Sequence, residues 1–243
     1  MRPLDISLEL RAVVMPFVHG ESLSSRLIYG DWSSKAARHE IRALVNRCGA
    51  LLANYHGNQS DVSDEARKEA ADRLKTRVER PLGRNVDLAG VPTSGPVVQC
   101  YRDFHPGHVI VTPERKLALI DPPIENRYDY FYRDLALFSH SLFMGLIEPR
   151  GMRRNPLRAR HQALLSEAFL EGYAASTNHS LTDDDMFYIR AWEAFYLVRM
   201  LRKARRRRSY GLMAYYYAPM RHRLRGLCRA LTLHLKQTGQ QRD

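Results

Sequence analysis

Apolar residues recur with a helical period in a long stretch near the start of the chain, residues 34–56. They fall at every third or fourth position and therefore share one face of a helix. These positions are Ile41, Leu44, Val45, Cys48, Leu51, Leu52 and Tyr55. Gly57 follows as a stop signal. The pattern predicts a long amphipathic helix that packs against the core.

The same period predicts helices along most of the remaining chain. The predicted helices are residues 61–80, 135–147, 158–175, 182–206 and 220–236. Ser63 should cap the first of them, and Thr182 with Asp185 forms a capping-box variant. Pro219 should break the chain before the last helix, because proline lacks the N–H that a helix interior needs.

Short β-branched and apolar runs predict strands in two regions. They are residues 3–7 and 10–18 near the N-terminus, and 97–99, 109–111 and 117–120 in the middle of the chain. A turn with Pro113 joins the last two runs, so they should pair as a hairpin. Strands that are so few and short beside many helices predict an α+β protein.

Reactive side chains flank this predicted hairpin on both sides. Asp103 and His108 lie in the loop before its first strand, and Asp121 directly follows its second strand. Pairing of the strands should bring the three side chains together. Two carboxylates and an imidazole suit phosphoryl transfer, which needs a base to orient a hydroxyl and ligands to hold Mg²⁺. The alternative is that each aspartate merely caps a turn.

The loop and hairpin, Y-R-D-F-H-P-G-H at residues 101–108 and I-D at 120–121, resemble those of kinase-like phosphotransferases. The likeness is strongest to the aminoglycoside phosphotransferase and choline kinase group. It implies a protein-kinase-like fold, ATP as the phosphate donor, Asp103 as catalytic base and Asp121 as a Mg²⁺ ligand. His105 matches the group's D-F-H-P-G and is expected to support the site. Arg102 would neutralise charge near the loop or brace the fold.

Two positions depart from the pattern of that group. Tyr101 and Arg102 replace His-Gly, and His108 stands where the group has a metal-binding Asn. An imidazole can bind a metal, although Mg²⁺ prefers oxygen. Lipopolysaccharide kinases of the Kdo/WaaP type resemble this chain at both positions. The resemblance therefore keeps His108, with Asp121, as an expected metal ligand.

Two further stretches carry the resemblance. Asp134 begins D-L-A, which is similar to the motif whose aspartate braces the catalytic loop; a helix N-cap is the alternative for this residue. Residues 11–23 resemble the kinase hinge, with Met15 behind an adenine pocket and the backbones of Pro16 and Val18 at the adenine edge. An ordinary edge strand is the alternative for this hinge.

Little of a small N-terminal lobe precedes that hinge. The sequence has no G-x-G-x-x-G motif and no lysine before Lys35. We therefore expect residues 1–20 to be a remnant of the small lobe with the hinge, and residues 21–243 to form the large, mostly helical lobe. A start site placed too far downstream, a partner chain that supplies the lobe, and a degenerate kinase would each explain this pattern.

The positive charge of the chain is concentrated in its C-terminal segment. Residues 194–243 hold 13 Lys and Arg and one acidic residue. The difference, +12, equals the net charge of the whole chain. The basic run 202–208 is expected to be a solvated helix end, a contact to an anionic membrane surface or, last, a nucleic-acid contact. No nucleic-acid-binding motif occurs, so nucleic acid is not an expected partner. An acceptor that carries phosphate or carboxylate would suit this segment.

Cysteine usage and hydropathy predict a cytoplasmic protein, or one peripheral to the inner membrane surface. Cys48, Cys100 and Cys228 are widely spaced without C-x-x-C, which argues against a disulfide framework or zinc site. The sequence leaves two hypotheses. One is an ATP-dependent, Mg²⁺-dependent phosphotransferase that acts on a hydroxyl of a small molecule or glycan. The other is a non-catalytic kinase-like module that binds a partner or an anionic surface.

Overall fold

The computed structural model describes residues 5–7, 12–14, 17–57, 62–79, 95–121, 127–148, 160–177, 179–206 and 210–240. Its helices are α1 (Leu23–Tyr29), α2 (Lys35–Gly57), α3 (Asp64–Leu74), α4 (Tyr132–Leu146), α5 (Gln162–Ala175), α6 (Asp183–Arg206) and α7 (Tyr210–Gln240). Its strands are β1 (Asp5–Ser7), β2 (Ala12–Val14), β3 (Glu21–Ser22), β4 (Val97–Gln99), β5 (Val109–Val111), β6 (Leu117–Leu119) and β7 (Tyr128–Tyr130). The α+β prediction is confirmed.

Helix α2 forms where the apolar period predicts it and packs along α5. Its contact with α5 is close enough to exclude side chains. A Cβ added at Gly49 would lie 2.0 Å from the Phe169 carbonyl oxygen, and one at Gly172 would lie 1.9 Å from the Asn46 carbonyl oxygen. Glycine at these two positions therefore lets the two helix backbones touch.

Side chains cap two helices as the sequence predicts. The Ser63 hydroxyl accepts the Ala66 N–H at 3.2 Å at the start of α3. At the start of α6 the Asp185 N–H donates to the Thr182 hydroxyl at 3.2 Å, and the Thr182 N–H donates to the Asp185 carboxylate at 2.8 Å. Each cap satisfies a backbone donor that the helix itself leaves without a partner.

The predicted break at Pro219 is wrong. Helix α7 continues through Pro219, where the sequence predicts a break. Met220, directly after the proline, is buried with Phe143 and Leu197, so packing outweighs the cost of a proline in the helix interior. The sequence did not predict α1, β3 or β7. Of these, β7 lies directly before α4. It pairs antiparallel with β4, with Val97 opposite Tyr130.

The predicted hairpin consists of β5 and β6, with Val109 opposite Leu119. Strand β3 pairs with the other side of β5, which brings Glu21 opposite Val111. The hairpin is joined to the core by aromatic rings. Phe104, in the loop before β5, is buried and lies 5.1 Å from the ring centroid of Phe138 and 6.2 Å from that of Phe169. The loop that carries the candidate chemistry is thus anchored on α4 and α5.

Among the residues that the structure describes, no helix is both long enough and apolar enough to cross a membrane.

Candidate active site

Four polar side chains converge at the open end of the β5–β6 hairpin. The His108 Nε2 atom lies 3.7 Å from the Asp121 Oδ2 atom, and the His105 Nε2 atom lies 3.9 Å from the Asp103 Oδ1 atom. The two imidazole rings lie side by side, with their centroids 3.9 Å apart. Asp103 and Asp121 are exposed, whereas the two histidines are partly buried. Both carboxylates can therefore meet a ligand from solvent.

His105 caps the short 3₁₀ turn Pro106–His108. Its Nδ1 atom accepts the Gly107 N–H at 3.0 Å, so the hydrogen of the neutral ring is on Nε2, which faces Asp103. A Cβ at Gly107 would lie 2.7 Å from the ring, so glycine is needed for this fold-back. Burial lowers the pKa of His105, with a smaller contribution from His108, which favours the neutral ring.

His108 has the opposite tautomer. Its Nδ1 atom lies 3.0 Å from the Asp103 carbonyl oxygen, and a carbonyl can only accept a hydrogen bond. Nδ1 therefore carries the hydrogen, and the lone pair of the neutral ring is on Nε2, which faces Asp121. This donor set fits a divalent cation, because one imidazole nitrogen and one exposed carboxylate point toward the same space.

The backbone at two of the predicted site residues is left-handed. Arg102 has a φ of 70° and Asp121 a φ of 58°, which is uncommon for residues with a side chain. Such conformations persist only where the surroundings hold them, and they cluster at functional sites. At Arg102 the holding contact is visible, since its N–H donates to the Asp134 Oδ1 atom at 2.9 Å.

Asp134 is fully buried and supports the loop from below. Its Oδ2 atom accepts the Tyr101 N–H at 2.5 Å and lies 3.3 Å from the His56 Nε2 atom. The other ring nitrogen of His56 lies 2.9 Å from the Tyr173 hydroxyl. Asp134 lies inside α4, whose N-cap is Phe131, so the N-cap alternative is wrong. Its contacts go to the loop and to α2.

Tyr101 links the two ends of the site, a contact that no sequence pattern signals. Its hydroxyl donates to the Ile120 carbonyl at 2.5 Å and lies 3.1 Å from the Asp121 carbonyl. Burial raises the pKa of Tyr101, and the Asp121 charge adds to that effect, so the hydroxyl keeps its hydrogen. The residue that replaces histidine in the motif thereby holds the backbone beside Asp121.

The predicted hinge is only partly described by the structure. Met15 and Pro16 lie outside the described residues, and Val18 is half-buried just before Gly20. Gly20 has a φ of 152°, and a Cβ there would lie 2.5 Å from the Val111 carbonyl oxygen. Glycine thus lets this segment lie directly against β5. The adenine contacts, and the division of the chain into residues 1–20 and 21–243, stay predictions.

The basic run at residues 202–208 begins within α6. Arg202, Lys203, Arg205 and Arg206 are exposed at the end of this helix, and residues 207–208 lie outside the described part of the chain. Exposure agrees with a solvated helix end. A contact of this run with an anionic surface stays a prediction.

The α+β fold, with a hairpin that brings an exposed aspartate near a histidine–aspartate pair, agrees with the resemblance to kinase-like phosphotransferases. The model of the phosphotransferase enzyme family matches residues 2–144. The chain therefore belongs to the phosphotransferase enzyme family, which confirms the resemblance stated for its loop and hairpin. No curated protein matches the sequence at a significant level.

Several solved structures are similar to this chain. A glucosamine kinase is 17% identical, with a TM-score of 0.47, over 91% of this chain and 57% of its own. A glucosamine kinase in complex with glucosamine, ADP and inorganic phosphate has a TM-score of 0.45 at 17% identity, over 95% of this chain and 63% of its own. An aminoglycoside phosphotransferase from Alicyclobacillus acidocaldarius has a TM-score of 0.41 at 18% identity, over 93% of this chain and 72% of its own. The chain thus spans about three fifths of the length of the glucosamine kinases.

Proposed function

We propose that this chain carries the site of an ATP-dependent phosphotransferase, which transfers the γ-phosphate to a hydroxyl of a small molecule. The observation that supports it is the convergence of Asp103 with the His108–Asp121 pair at one end of the hairpin. Phosphoryl transfer depends on positioning and on charge stabilisation, so a loop held in place is what this reaction requires.

Asp103 would act on the acceptor. Its carboxylate is exposed and faces the Nε2–H of His105 at 3.9 Å, which leaves it able to accept a hydrogen bond from a hydroxyl. It would orient that hydroxyl and take its proton as the acceptor oxygen bonds to the γ-phosphorus and the bond from phosphorus to the ADP oxygen breaks. His105 would keep the carboxylate in place without removing its charge.

Asp121 and His108 would hold the cation that accompanies ATP, with Mg²⁺ as the first expectation. A divalent cation held by these two residues would supply positive charge to offset the negative charge that develops during transfer. The chain's own contribution is the fixed direction of the two donors. The Asp103 carbonyl orients His108, and the Tyr101 hydroxyl holds the backbone beside Asp121.

Arg102 and the hinge complete the proposal. The Arg102 backbone is tied to Asp134, so its guanidinium would neutralise charge at the loop from a fixed Cα position. The segment of Val18, with Met15 and Pro16, would meet the adenine, as the hinge resemblance implies. The acceptor would be a small molecule, and one that carries phosphate or carboxylate would suit the basic C-terminal segment, residues 194–243.

Substitution of Asp103 tests this function. Transfer of labelled γ-phosphate from ATP is measured for the native chain with a panel of amino sugars, aminoglycosides and choline. Asp103→Asn should lower turnover by about 10²–10⁴-fold, because it removes the base, and should leave the affinity for nucleotide within about twofold. Asp72→Asn, which changes an exposed carboxylate on α3, is the matched control and should leave turnover unchanged.

Equal turnover of the native chain and Asp103→Asn would contradict the assignment. If no acceptor is phosphorylated, the thermal unfolding midpoint is compared with and without Mg–ATP, for the native chain and for Asp121→Asn. A rise in the native chain that the variant loses would show that nucleotide binds and that Asp121 is needed for it, because a ligand that binds only the folded state raises the midpoint.

A further inference from the structure

We propose that a cavity among helices α4, α5, α6 and α7 binds a small organic carboxylate with an apolar body, at a site separate from the hairpin. Arg190 binds the carboxylate, apolar side chains hold the body, and the Ser139 hydroxyl hydrogen-bonds to the ligand. The cavity has a volume of about 330 Å³, at the lower end of the range of roughly 300–1,000 Å³ for ligand pockets. The inference does not depend on the proposed phosphotransferase activity.

The cavity lies on faces of α4 and α5 that point away from the catalytic loop. Phe138 and Phe169 pack against Phe104 of that loop, whereas the next residue on each helix, Ser139 and Leu170, lines the cavity. Successive residues of a helix point about 100° apart, so the two helices separate the cavity from the loop. Within the described part of the chain, no residue of the loop or the hairpin lines it.

The buried part of the cavity holds a hydroxyl group that lacks a partner. Ser139 is 3% exposed, and its Oγ atom makes no hydrogen bond with any residue that the structure describes. Buried polar groups are normally paired, because an unpaired one costs free energy. A hydroxyl can both donate and accept, so a polar atom of a ligand in the cavity supplies the missing hydrogen bond.

The charged side chains of the cavity favour an anion. The Arg223 guanidinium is paired with Glu193, with its Nε atom 2.8 Å and its Nη2 atom 2.6 Å from the Oε1 atom. The charge of Arg190 also acts on Glu193, but its guanidinium makes no hydrogen bond or ion pair within the described residues. Two guanidinium groups thus face one carboxylate. Burial raises the pKa of Glu193 while Arg223 opposes this, so any protonation of Glu193 enlarges the positive excess.

Apolar side chains form much of the remaining wall of the cavity. They are Leu170, Met186, Ile189 and Leu227. An apolar ligand body that packs against them leaves water, which favours binding. His222 and Gly226 of α7 also line the cavity and are exposed, so a ligand can enter from this side. An inorganic anion would use the charge of Arg190 but not these apolar walls.

The test compares four probes. Benzoate, benzamide and benzylamine share a ring and differ in charge, and acetate has the charge of benzoate without its ring. Binding to the native chain is measured by NMR titration, without nucleotide or acceptor. Benzoate should bind about tenfold more tightly than each of the other three, because it alone uses both the guanidinium and the apolar walls.

Two variants locate the probe in the cavity. Arg190→Gln should weaken benzoate binding about tenfold and Ser139→Ala about threefold, because each removes a hydrogen-bond donor to the ligand. Arg199→Gln, at an exposed arginine of the same helix, is the matched control and should bind benzoate as the native chain does. The thermal unfolding midpoint of Ser139→Ala should be unchanged or higher, since the substitution removes a buried hydroxyl without a partner.

Several results would overturn the inference. They are no binding of benzoate to the native chain, equal affinity for benzoate and either benzamide or acetate, and unchanged benzoate affinity in Arg190→Gln or Ser139→Ala. Loss of benzoate binding in Asp103→Asn would also overturn it, because the probe would then lie at the hairpin. The assay contains no ATP, so failure of phosphate transfer leaves this result standing, and failure here leaves the transfer assay to be judged by itself.

Discussion

At the scale of single residues, the buried carboxylate of Asp134 connects more parts of the site than any side chain in the loop itself. It accepts the N–H groups of Tyr101 and Arg102 and contacts the ring of His56. A carboxylate can only accept hydrogen bonds at neutral pH, and all three neighbours offer donors or can adopt a donor tautomer. An amide in its place would direct a donor at one of these N–H groups.

Asp134→Asn replaces only one carboxylate oxygen by an amide nitrogen, yet it should destabilise the protein strongly. We expect the free energy of unfolding to fall by about 2 kcal/mol, because one buried backbone N–H loses its acceptor. Urea unfolding, followed by circular dichroism, measures the change. Asp72→Asn, an exposed carboxylate-to-amide change, should shift it by less than about 0.5 kcal/mol. Equal midpoints for the two variants would mean that these hydrogen bonds contribute nothing.

The sequence predicts the residues that converge at this site better than it predicts the residues that hold them in place. Asp103, His108 and Asp121 lie close along the chain, and one hairpin suffices to bring them together. The contact of His56 with Asp134 joins residues 78 positions apart, and no local pattern encodes such a pairing. The role of Tyr101 was missed for a different reason. Its hydroxyl reaches across to Asp121, which depends on the turn before β5 and not on its own neighbours.

At the scale of elements, the contact between α2 and α5 is made by backbone. Gly49 faces the Phe169 carbonyl, and Gly172 faces the Asn46 carbonyl. The spacing of these helices sets where His56 and Tyr173, one on each helix, meet. Because the contact leaves no room for a methyl group, any larger side chain must push the helices apart.

Gly49→Ala should therefore cost about 3 kcal/mol of folding free energy, despite the better helix propensity of alanine. Gly226→Ala, in the interior of α7, is the control. Nothing lies within 4 Å of a Cβ at that position, so alanine should stabilise the protein by about 0.5–1 kcal/mol. Thermal or urea unfolding of both variants shows whether each substitution raises or lowers the free energy of unfolding. Stabilisation by Gly49→Ala would contradict the close contact.

The elements that could be predicted are those in which apolar residues recur at a regular helical or strand spacing. Helix α2 has apolar residues at regular helical spacing, and the structure buries most of that face. Strand β7 is three residues long in a run of tyrosines, where alternation cannot be distinguished from a helical pattern. Helix α7 continues through Pro219 because Met220, the next residue, is buried with Phe143 of α4 and Leu197 of α6. Contacts between helices that are far apart along the chain leave no local pattern in the sequence.

At the scale of the whole molecule, one buried histidine should govern much of the response to acid. His140 lies in α4, is buried, and stacks on Tyr196 of α6 with ring centroids 5.8 Å apart. Its Nδ1 atom has no hydrogen-bond partner within the described residues. Burial lowers the pKa of His140 from 6.5 to about 4, and the charge of Arg223 adds to that effect.

The folded protein therefore keeps His140 neutral at a pH where the unfolded chain protonates it. Stability from this group is complete above pH 6.5 and is lost as the pH falls toward 4. The loss should reach about 3 kcal/mol. The free energy of unfolding of the native chain, measured across this range, should fall as the pH falls. His140→Phe should remove this dependence on pH, whereas His39→Gln, at an exposed histidine, should retain it. The same slope in His140→Phe would show that other groups cause it.

The contacts of Asp134, Tyr101 and Phe104 that hold the loop before β5 in place affect the conformational entropy of this loop. The loop is held at its start by Asp134, at its centre by packing of the Phe104 ring on Phe138, and at the open end of the hairpin by the Tyr101 hydroxyl. Its conformational freedom is therefore lost when the chain folds, not when a substrate arrives. Binding then has to order only the ligand, and more of the binding free energy remains for lowering the barrier to reaction.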